Sequence, residues 1–346
     1  MDRGIARARK ALGKRVVVLG HHYQRPDVIK YADFRGDSYK LSKQAAAERA
    51  AEFVVFCGVH FMAETADILT PPERVVILPN MAAGCSMADM ASKEEAEECW
   101  EALGSVLGEG EVVPVTYMNS SAAIKALCGR NGGIVCTSSN ATGALRWALE
   151  RSDRVLFLPD EHLGRNTALK LGVGLDEMVV WDPFEPFGGH APDRLRRARM
   201  ILWKGHCSVH MRFTVEQIRR ARAEHPGINI IVHPECRLEV VEEADCAGST
   251  EFIARTIEAA EPGTAWGVGT EVNLVQRLAA ENPDKRVFCL DEMVCPCSTM
   301  YRVHPGYLLW VLDGLLDGLT INRVQVPADV ATDARTALER MLEVPA

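Results

Sequence analysis

The chain has 346 residues, of which 47% are hydrophobic and 25% are charged, and its formal net charge is −8. A chain of this length is larger than one hydrophobic core usually supports, so we expect two or three domains. The acidic balance argues against nucleic acid or an anionic membrane as a partner, because both bind clustered lysine and arginine side chains. The composition therefore favours a small-molecule substrate.

The first residues are basic and are followed by the short apolar run VVVLG. This run is far too short for a signal sequence or a membrane-spanning helix, so we expect a cytoplasmic protein. Eleven cysteines in a reducing compartment point to metal binding or chemistry rather than to disulfides. Five of them lie in apolar strand-like or helix-like stretches, where we expect packing only: Cys57, Cys99, Cys128, Cys136 and Cys289.

Short runs rich in valine and isoleucine recur along the chain, and each precedes a polar cluster and a stretch with helical periodicity. The runs VVVL, VVIL, VLFL and INIIV are continuously hydrophobic, which is typical of parallel strands covered on both faces. Ser92 with Glu95, and Thr214 with Gln217, predict capping boxes at the starts of two helices. We therefore expect an α/β fold with repeated β-α units and parallel sheets.

The polar clusters fall into three rounds of four, and each round ends in cysteine. The first cluster of each round follows a strong strand and carries side chains suited to catalysis. These are His21, His22 and Tyr23 in the first round, Tyr117, Asn119, Ser120 and Ser121 in the second, and His233, Glu235 and Cys236 in the third. If the rounds are three similar layers around a pseudo-threefold axis, the carboxyl ends of their strands can converge on one site.

The second cluster of each round places small polar side chains at the start of a helix. Its members are Asp37 and Ser38 in the first round, Thr137, Ser138 and Asn140 in the second, and Ser249 and Thr250 in the third. Backbone N–H groups at a helix N-terminus, joined by hydroxyls, form a site for a carboxylate or a phosphate. Each residue could instead only cap its helix, but three matching positions favour anion binding.

The third clusters supply polar residues to which we assign no chemistry, because a lone histidine or carboxylate at a strand end is more often structural. These residues are His60, Glu64, Asp160, Glu161, His162 and Glu271. The second round also contains a long segment at 181–200 that is rich in proline and glycine. We expect this segment to be a loop or lid near the site.

The fourth clusters contribute Cys85, Cys207, and either Cys295 or Cys297. Three cysteines without a CxxC pair match structural zinc poorly. They fit a cubane iron–sulfur cluster better, since one iron then has no protein ligand and can bind a substrate oxygen. Cys236 is a further candidate ligand, so a four-ligand cluster or zinc site built from these residues is one alternative. Another is a zinc- or iron-dependent lyase or hydrolase that uses Cys207, Cys236 and the nearby histidines His206 and His210 as ligands.

Nine strings in this order resemble the quinolinate synthase family: GHHYQ, GDSYKLSKQAA, AGCSMADM, YMNSSAAIKA, CTSSNA, GHCSVH, HPEC, AGST and CPCSTM. The similarity runs over nearly the whole chain. It implies three similar parallel-sheet α/β/α domains related by a pseudo-threefold axis, with the active site at their common interface. We expect the first domain at 1–104, joined by the segment 320–346, the second at 105–224 and the third at 225–319.

The resemblance implies a 4Fe-4S cluster with one open iron, held by one cysteine from each domain, namely Cys85, Cys207 and Cys297. Cys297 is preferred to Cys295 because Met300 follows it by three residues, as in the family pattern. The resemblance also implies that iminoaspartate binds to the first and second clusters. The substrate-binding residues would be His21, Ser38, Tyr117, Met118, Asn119, Ser138, His233, Pro234, Glu235 and Thr250, to which the cluster positions add Asp37 and Ser249.

The reaction implied by the resemblance is the condensation of iminoaspartate with dihydroxyacetone phosphate to quinolinate, phosphate and water in de novo NAD biosynthesis. We assign its proton transfers to His21, Tyr23, His233 and Glu235, because these groups can act as general acids and bases. The unstable imine implies a functional link to an aspartate-oxidising enzyme. A non-catalytic, cluster-bearing sensor is disfavoured, since the sequence lacks the basic face that such a protein usually has.

Overall fold

The computed structural model describes residues 1–293 and 296–345, and its strands form three sheets. We call each sheet, with the helices that follow its strands, a layer, and number the layers in chain order. Within the described ranges, no helix combines the length and the apolar character needed to cross a membrane.

The first layer contains four parallel strands and one antiparallel strand, in the order β14-β4-β3-β1-β2. The strands are β1 (Val16–His21), β2 (Phe34–Gly36), β3 (Phe53–Cys57), β4 (Val75–Ile77) and β14 (Arg323–Val324). The helices are α1 (Asp2–Leu12), α2 (Pro26–Ile29), α3 (Ser38–Ala47), α4 (His60–Leu69) and α5 (Lys93–Leu107). All six residues of β1 are buried, as the continuous hydrophobic run predicts.

The second layer is a parallel sheet in the order β6-β5-β7-β9-β8. Its strands are β5 (Val113–Tyr117), β6 (Ile134–Cys136), β7 (Val155–Leu158), β8 (Met178–Trp181) and β9 (Met200–Trp203). The helices are α6 (Ala122–Arg130), α7 (Ala141–Leu149), α8 (Glu161–Lys170), α9 (Pro192–Arg197) and α10 (Val215–Glu224). Both predicted capping boxes are confirmed, at Ser92 before α5 and at Thr214 before α10.

The third layer is a parallel sheet in the order β11-β10-β12-β13. Its strands are β10 (Asn229–Val232), β11 (Cys246–Ala247), β12 (Ala265–Gly269) and β13 (Arg286–Cys289). The helices are α11 (Leu238–Glu243), α12 (Thr250–Ala259) and α13 (Val272–Glu281). Two further helices, α14 (Pro305–Leu316) and α15 (Ala328–Glu343), follow in the chain and pack on the first and second layers.

The three sheets share one arrangement of four parallel strands, which confirms the α/β fold of similar layers expected from the repeat. In each sheet the first strand of the layer is flanked by the second strand on one side and by the third on the other. A further parallel strand continues beyond the third, namely β4, β9 and β13. Because all first strands run in parallel with their neighbours, each layer presents the carboxyl ends of its strands at one edge.

The segment 181–200 is not a lid near the site. It leaves β8, which lies at the edge of the second sheet and pairs with β9, and it passes through α9 before β9 begins. Phe184 and Phe187 from this segment line a groove together with α5 residues. The segment therefore lies at the outer edge of the second layer, beside β8 and α5.

The segment 320–346 contacts two layers. Strand β14 pairs antiparallel with β4 in the first sheet, whereas α15 packs mainly on α6 of the second layer. The two helices approach so closely that a Cβ at Gly129 would lie 1.9 Å from the Asp333 carbonyl oxygen. Glycine is therefore required at position 129. The domain boundaries proposed from the sequence stay a prediction.

The layers are joined by two different kinds of contact. One apolar core runs through the first and second layers, whereas the sheet of the third layer packs in separate cores, one of which includes α10. Between the first and third layers, Glu251 on α12 lies 3.0 Å from His22 Nε2 and 3.2 Å from Lys40 Nζ. The third layer thus meets the first through ion pairs and hydrogen bonds, which we call the Glu251 contact.

Candidate active site

One central cavity is lined by residues that follow strands of all three layers. Its wall carries most of the predicted site residues: His21, Tyr23, Asp37, Ser38, Cys85, Tyr117, Asn119, Ser138, Cys207, His233, Glu235, Thr250 and Cys297. The described residues of this wall include none from 181–200. A separate cleft, lined by Trp100, Glu109 and Arg151 near the amino end of β5, contains none of the predicted site residues.

Three predicted substrate-binding residues lie behind this wall. Met118 is buried, and its carbonyl oxygen accepts a hydrogen bond from Lys125 at 3.0 Å. The Pro234 carbonyl oxygen accepts one from Asn166 at 2.8 Å. Ser249 caps α12 and accepts from the Phe252 N–H at 3.2 Å. Their roles in binding stay predictions, but each already has a structural partner.

The three cysteines occupy equivalent turns, one from each layer. Each carbonyl oxygen accepts a hydrogen bond from the N–H four residues later, at 3.1 Å for Cys85, 3.1 Å for Cys207 and 2.9 Å for Cys297. Each turn enters a short 3-10 helix three residues after its cysteine: Ala88–Met90, His210–Arg212 and Met300–Arg302. We call these segments the cysteine turns. Cys295, the other candidate, lies outside the described residues.

The donor set of the cysteine turns fits a cluster held by three thiolates. The three thiols are free and half-buried on one cavity wall. Burial raises the pKa of Cys85 to about 12, and the pKa of Cys207 is also raised by burial, then by Glu235 and the neighbouring thiols. Such crowding disfavours bare thiolates, and a cationic iron–sulfur centre would relieve it. Cys236 is fully buried against the Gly269 carbonyl oxygen and is absent from the described wall, so it offers no fourth ligand.

A second donor set suits a single metal ion. Ligand atoms of Cys207, His210 and Glu235 all lie within 4.8 Å of one another. However, both ring nitrogens of His210 already have polar neighbours, since Nδ1 lies 2.8 Å from Glu235 Oε2 and Nε2 lies 3.1 Å from Thr270 Oγ1. The Nε2 hydrogen bond and the Nδ1 ion-pair contact with Glu235 favour a role for His210 among these polar side chains over metal ligation.

Five side chains form a chain of three hydrogen bonds and one ion-pair contact across the cavity, which we call the Tyr23–Tyr117 chain. The Tyr23 hydroxyl lies 2.7 Å from Thr270 Oγ1, which in turn neighbours His210 Nε2. His210 Nδ1 neighbours Glu235, whose other oxygen accepts from the Tyr117 hydroxyl at 2.6 Å. The chain thus connects groups from all three layers.

Sequence reasoning missed two members of this chain. Thr270 is fully buried directly after β12, and His210 is fully buried in the second cysteine turn. Thr270 lies in the string VGTEVN, where its position at a strand end was a usable signal. His210 stood three residues after Cys207, but at sequence level it was considered only as a neighbour or alternative metal ligand.

The carboxylate and the two phenols of the chain have opposite charge preferences. Burial alone would raise the pKa of Glu235, but His210, His233 and the Tyr117 hydroxyl more than offset it, so the pKa lies below its usual range. Burial and the nearby Glu235 raise the pKa of Tyr23 and of Tyr117 well above the usual value. At neutral pH the site therefore holds an ionised Glu235 and two protonated phenols.

His21 and His233 share one local structure at the ends of β1 and β10. In each, Nδ1 accepts the backbone N–H two residues later, from Tyr23 at 3.2 Å and from Glu235 at 3.3 Å. Burial lowers the pKa of both rings to about 3. A neutral ring that accepts at Nδ1 carries its proton on Nε2. These histidines are thus suited to donate hydrogen bonds at neutral pH rather than to take up protons.

The second clusters bring helix N-termini to the cavity. Ser38 begins α3, Thr250 begins α12, and Ser138 lies shortly before α7. The Thr250 hydroxyl is buried without a hydrogen-bond partner in the described part of the chain. Asp37 caps α3 and accepts a close hydrogen bond from the Ser139 hydroxyl, which ties the first layer to the second. Free donors at helix starts suit a bound carboxylate or phosphate.

Fold and site together define the class: an α/β enzyme of three parallel-sheet layers, with a cysteine site able to hold a metal at their common cavity. The family model described as "Quinolinate synthetase A protein" matches residues 3–343. The chain therefore belongs to the quinolinate synthase family, as the sequence motifs predicted.

Relatives carrying the name "Quinolinate synthase" are similar over nearly the whole chain. The protein from Corynebacterium glutamicum is 57% identical over 344 residues, covering 99% of this chain and 87% of the relative. The one from Nocardioides sp. is 58% identical over 345 residues, covering 98% and 88%. The one from Geobacillus kaustophilus is 54% identical over 342 residues, covering 98% and 93%.

Proposed function

We propose that this protein condenses iminoaspartate with dihydroxyacetone phosphate to give quinolinate, phosphate and two waters in NAD biosynthesis. Membership of the quinolinate synthase family supports this reaction. The observation that carries the proposal is the cavity itself, which combines three convergent cysteines with free donors for anions and an acid–base chain.

We propose Cys85, Cys207 and Cys297 as the ligands of a 4Fe-4S cluster, because the three cysteine turns are equivalent and lie on one cavity wall. When bound, such a cluster supplies a Lewis-acidic iron without a protein ligand, which assists the loss of hydroxyl groups as water. The protein groups around it bind and orient the reactants and move protons.

The two carboxylates of iminoaspartate and the phosphate of the second substrate need many donors. Ser38, Ser138 and Thr250 offer hydroxyls beside helix N-termini, and Asn119 offers an amide on the same wall. His21 and His233 add Nε2–H donors from opposite layers. The described wall carries no lysine or arginine, so its anion-binding groups are these neutral donors.

We propose Tyr23 as the group that exchanges protons with the reactants. A proton leaving or entering its phenol can pass to Thr270, and His210 can accept it while Glu235 stabilises the charged ring. This order resembles the hydroxyl, imidazole and carboxylate arrangement of hydrolases. His21 and His233, which sequence reasoning made acids or bases, act here as donors that orient the substrate.

The reaction requires a supply of the imine, which hydrolyses readily. An enzyme that oxidises aspartate is the partner that the family implies, and the free cysteines are consistent with a reducing cytoplasm as the location. This link is functional, and no docking surface for the partner is proposed.

The proposal is tested with protein reconstituted anaerobically with iron and sulfide, supplied with dihydroxyacetone phosphate and freshly generated iminoaspartate. Quinolinate should appear in stoichiometric amounts with phosphate, as measured by mass spectrometry and phosphate release. The variant Glu235→Gln should retain iron, sulfide and ligand binding but lose about 10²- to 10⁴-fold in kcat. Glu224→Gln, an exposed change on α10, serves as the control.

The competing function is a lyase or hydrolase with one zinc or iron ion on Cys207, His210 and Glu235. Analysis of acid-labile sulfide separates the two functions. About four sulfides per chain would support the cluster, whereas a stable single metal without sulfide, together with no quinolinate formation, would replace the proposed function by this alternative.

A further inference from the structure

Lys125, in α6, has no exposed area. Fully buried lysines are rare, because an ammonium group loses its hydration on burial. Its Nζ donates to the Met118 carbonyl oxygen at 3.0 Å and, at closer range, to the Ser120 carbonyl oxygen. It also lies 5.4 Å from the centroid of the Phe61 ring. Within the described residues Lys125 forms no ion pair, so its charge is not neutralised at contact distance.

The position of Lys125 relates this charge to the central cavity. Met118 and Ser120 belong to the loop between β5 and α6, which carries Asn119 on the cavity wall. Phe61, on the other side of the ammonium, lines the same cavity. Among the described wall residues none is lysine or arginine, while Asp37 and Glu235 are acidic. Lys125 thus places a positive charge directly behind the cavity wall, whose described residues include no lysine or arginine.

The two carbonyl groups that Lys125 contacts belong to peptide units whose N–H groups follow in the chain. The Met118 carbonyl is joined to the Asn119 N–H, and the Ser120 carbonyl to the Ser121 N–H. An ammonium group that donates to a carbonyl oxygen polarises the peptide and strengthens its N–H as a donor. The Asn119 N–H has no acceptor in the described part of the chain. The charge can therefore act on a ligand through this peptide.

We propose that Lys125 is a positioning residue that supplies the positive charge for an anionic reactant, acting through the peptide groups of the Met118–Ser121 loop. The inference rests on the proposed function in one respect, namely that the reactants are anions. Burial lowers the pKa of Lys125 to about 8, which leaves the ammonium group mostly protonated at neutral pH. Glu64, Cys128 and Cys85 oppose this lowering from α4, α6 and the first cysteine turn.

The test compares a charged ligand with an uncharged ligand of the same shape. Binding of succinate and of its diamide, succinamide, is measured by calorimetry on the reconstituted full chain at pH 7. Lys125→Met should weaken succinate binding about tenfold and leave succinamide binding unchanged, because only the charge interaction is lost. Lys125→Gln, which keeps one donor for the carbonyl groups but no charge, should give the same result.

The matched control is Lys285→Met, since Lys285 Nζ also donates to a backbone carbonyl, that of Glu258, at 3.3 Å. This variant should keep the wild-type preference for succinate. An equal loss of both ligands in the Lys125 variants would assign Lys125 a structural role and overturn the proposal, as would unchanged succinate binding or a wild type that does not prefer succinate. If Lys125→Met does not fold, Lys125→Gln decides, and failure of both to fold would overturn the proposal.

The outcome is independent of the quinolinate assay. A wild type that prefers succinate through Lys125 but makes no quinolinate would contradict the proposed function and leave this inference standing. If the wild type makes quinolinate but Lys125→Gln binds succinate as tightly as the wild type does, the proposed function stands and this inference is overturned.

Discussion

The cysteine turns and the Tyr23–Tyr117 chain lie on the same cavity but are built in opposite ways. Each layer contributes one cysteine turn, and the three turns repeat the same backbone hydrogen bond. Each layer also contributes to the Tyr23–Tyr117 chain, but the contributions are not copies of one another: the first layer supplies a phenol, the second an imidazole and a phenol, and the third a carboxylate and a hydroxyl.

This difference shows which part of the site a repeated structure can provide and which part it cannot. A cluster with equivalent irons can be held by three copies of one turn, because each iron needs the same ligand. Proton transfer needs a direction, and so it needs groups with unequal proton affinities in a fixed order. The repeated part of the site is therefore suited to cofactor binding and the divergent part to chemistry.

The largest effect is expected from the cysteine turns. Replacing Cys85, Cys207 or Cys297 singly by serine should remove acid-labile sulfide and abolish turnover, because in the proposed cluster each thiolate would hold one iron and the set has no spare member among the described wall residues. Iron and sulfide analysis and EPR spectra of the reconstituted variants measure this. Cys246→Ser, at a half-buried cysteine in β11, should keep the cluster and serves as the control.

The same experiment decides between the two candidate ligands in the CPC string. Cys295→Ser should keep iron, sulfide and activity, since the equivalence of the turns selects Cys297. A variant set in which Cys295→Ser loses the cluster and Cys297→Ser keeps it would contradict that equivalence.

An intermediate effect is expected from the Tyr23–Tyr117 chain. Thr270→Val keeps the volume but removes the hydroxyl between Tyr23 and His210, so kcat should fall on the order of 10²-fold with the cluster intact. Steady-state kinetics with parallel sulfide analysis measure both. The control is Thr332→Val, because the Thr332 hydroxyl bonds only within α15. Unchanged kcat would remove Thr270 from proton transfer.

The smallest effect is expected at the Glu251 contact. This contact joins the third layer to the first, and both layers contribute to the cysteine turns and to the Tyr23–Tyr117 chain. Hydrogen bonding to His22, and then Lys40, lowers the pKa of Glu251 from 4.5 to about 2. A carboxyl with a lowered folded-state pKa stabilises above pH 4.5, and that stabilisation disappears as the pH falls towards 2. Solvent screens this contact from the side of the exposed Lys40, so Glu251→Gln should cost about 1 kcal/mol or less at pH 7.

Thermal unfolding at pH 7 and at pH 3 measures this difference. The loss of stability caused by Glu251→Gln should be smaller at pH 3, because the wild-type protein has then also lost part of the stabilisation that ionised Glu251 provides. Glu258→Gln, an exposed change on the same helix, should show no such pH dependence. A larger loss at pH 3 than at pH 7 would disprove the assigned direction.

Most of the fold could be predicted because its signals are local. Buried parallel strands such as β1 are continuous hydrophobic runs, and Ser92 and Glu95 specify a helix start by adjacent hydrogen bonds. The three cysteine turns could be found for a related reason, since a repeated string marks a repeated position. Strand β8 was missed because the Pro- and Gly-rich segment after it suggested a loop rather than an edge strand.

The divergent half of the site could be predicted only in part. Tyr23, His233 and Glu235 stood at strand ends in polar strings, whereas Thr270 and His210 are ordinary residues until the layers assemble. The separation of Tyr23 from Thr270 by 247 positions shows why, since no local pattern encodes a contact between distant segments. The roles of His21 and His233 likewise depend on burial and on the backbone N–H at Nδ1, which a sequence does not display.

Strand β14 and helix α14 have a consequence for the order of events during protein synthesis. The first sheet is completed by β14 beside β4, and α1 packs on α14, although both partners are translated after the other two sheets. On the ribosome, the earliest segment must therefore wait for residue 324 to leave the exit tunnel before its sheet is complete. Both late partners lie after Cys297 in the chain, so the first layer packs fully only once the segment that carries Cys85, Cys207 and Cys297 has been synthesised.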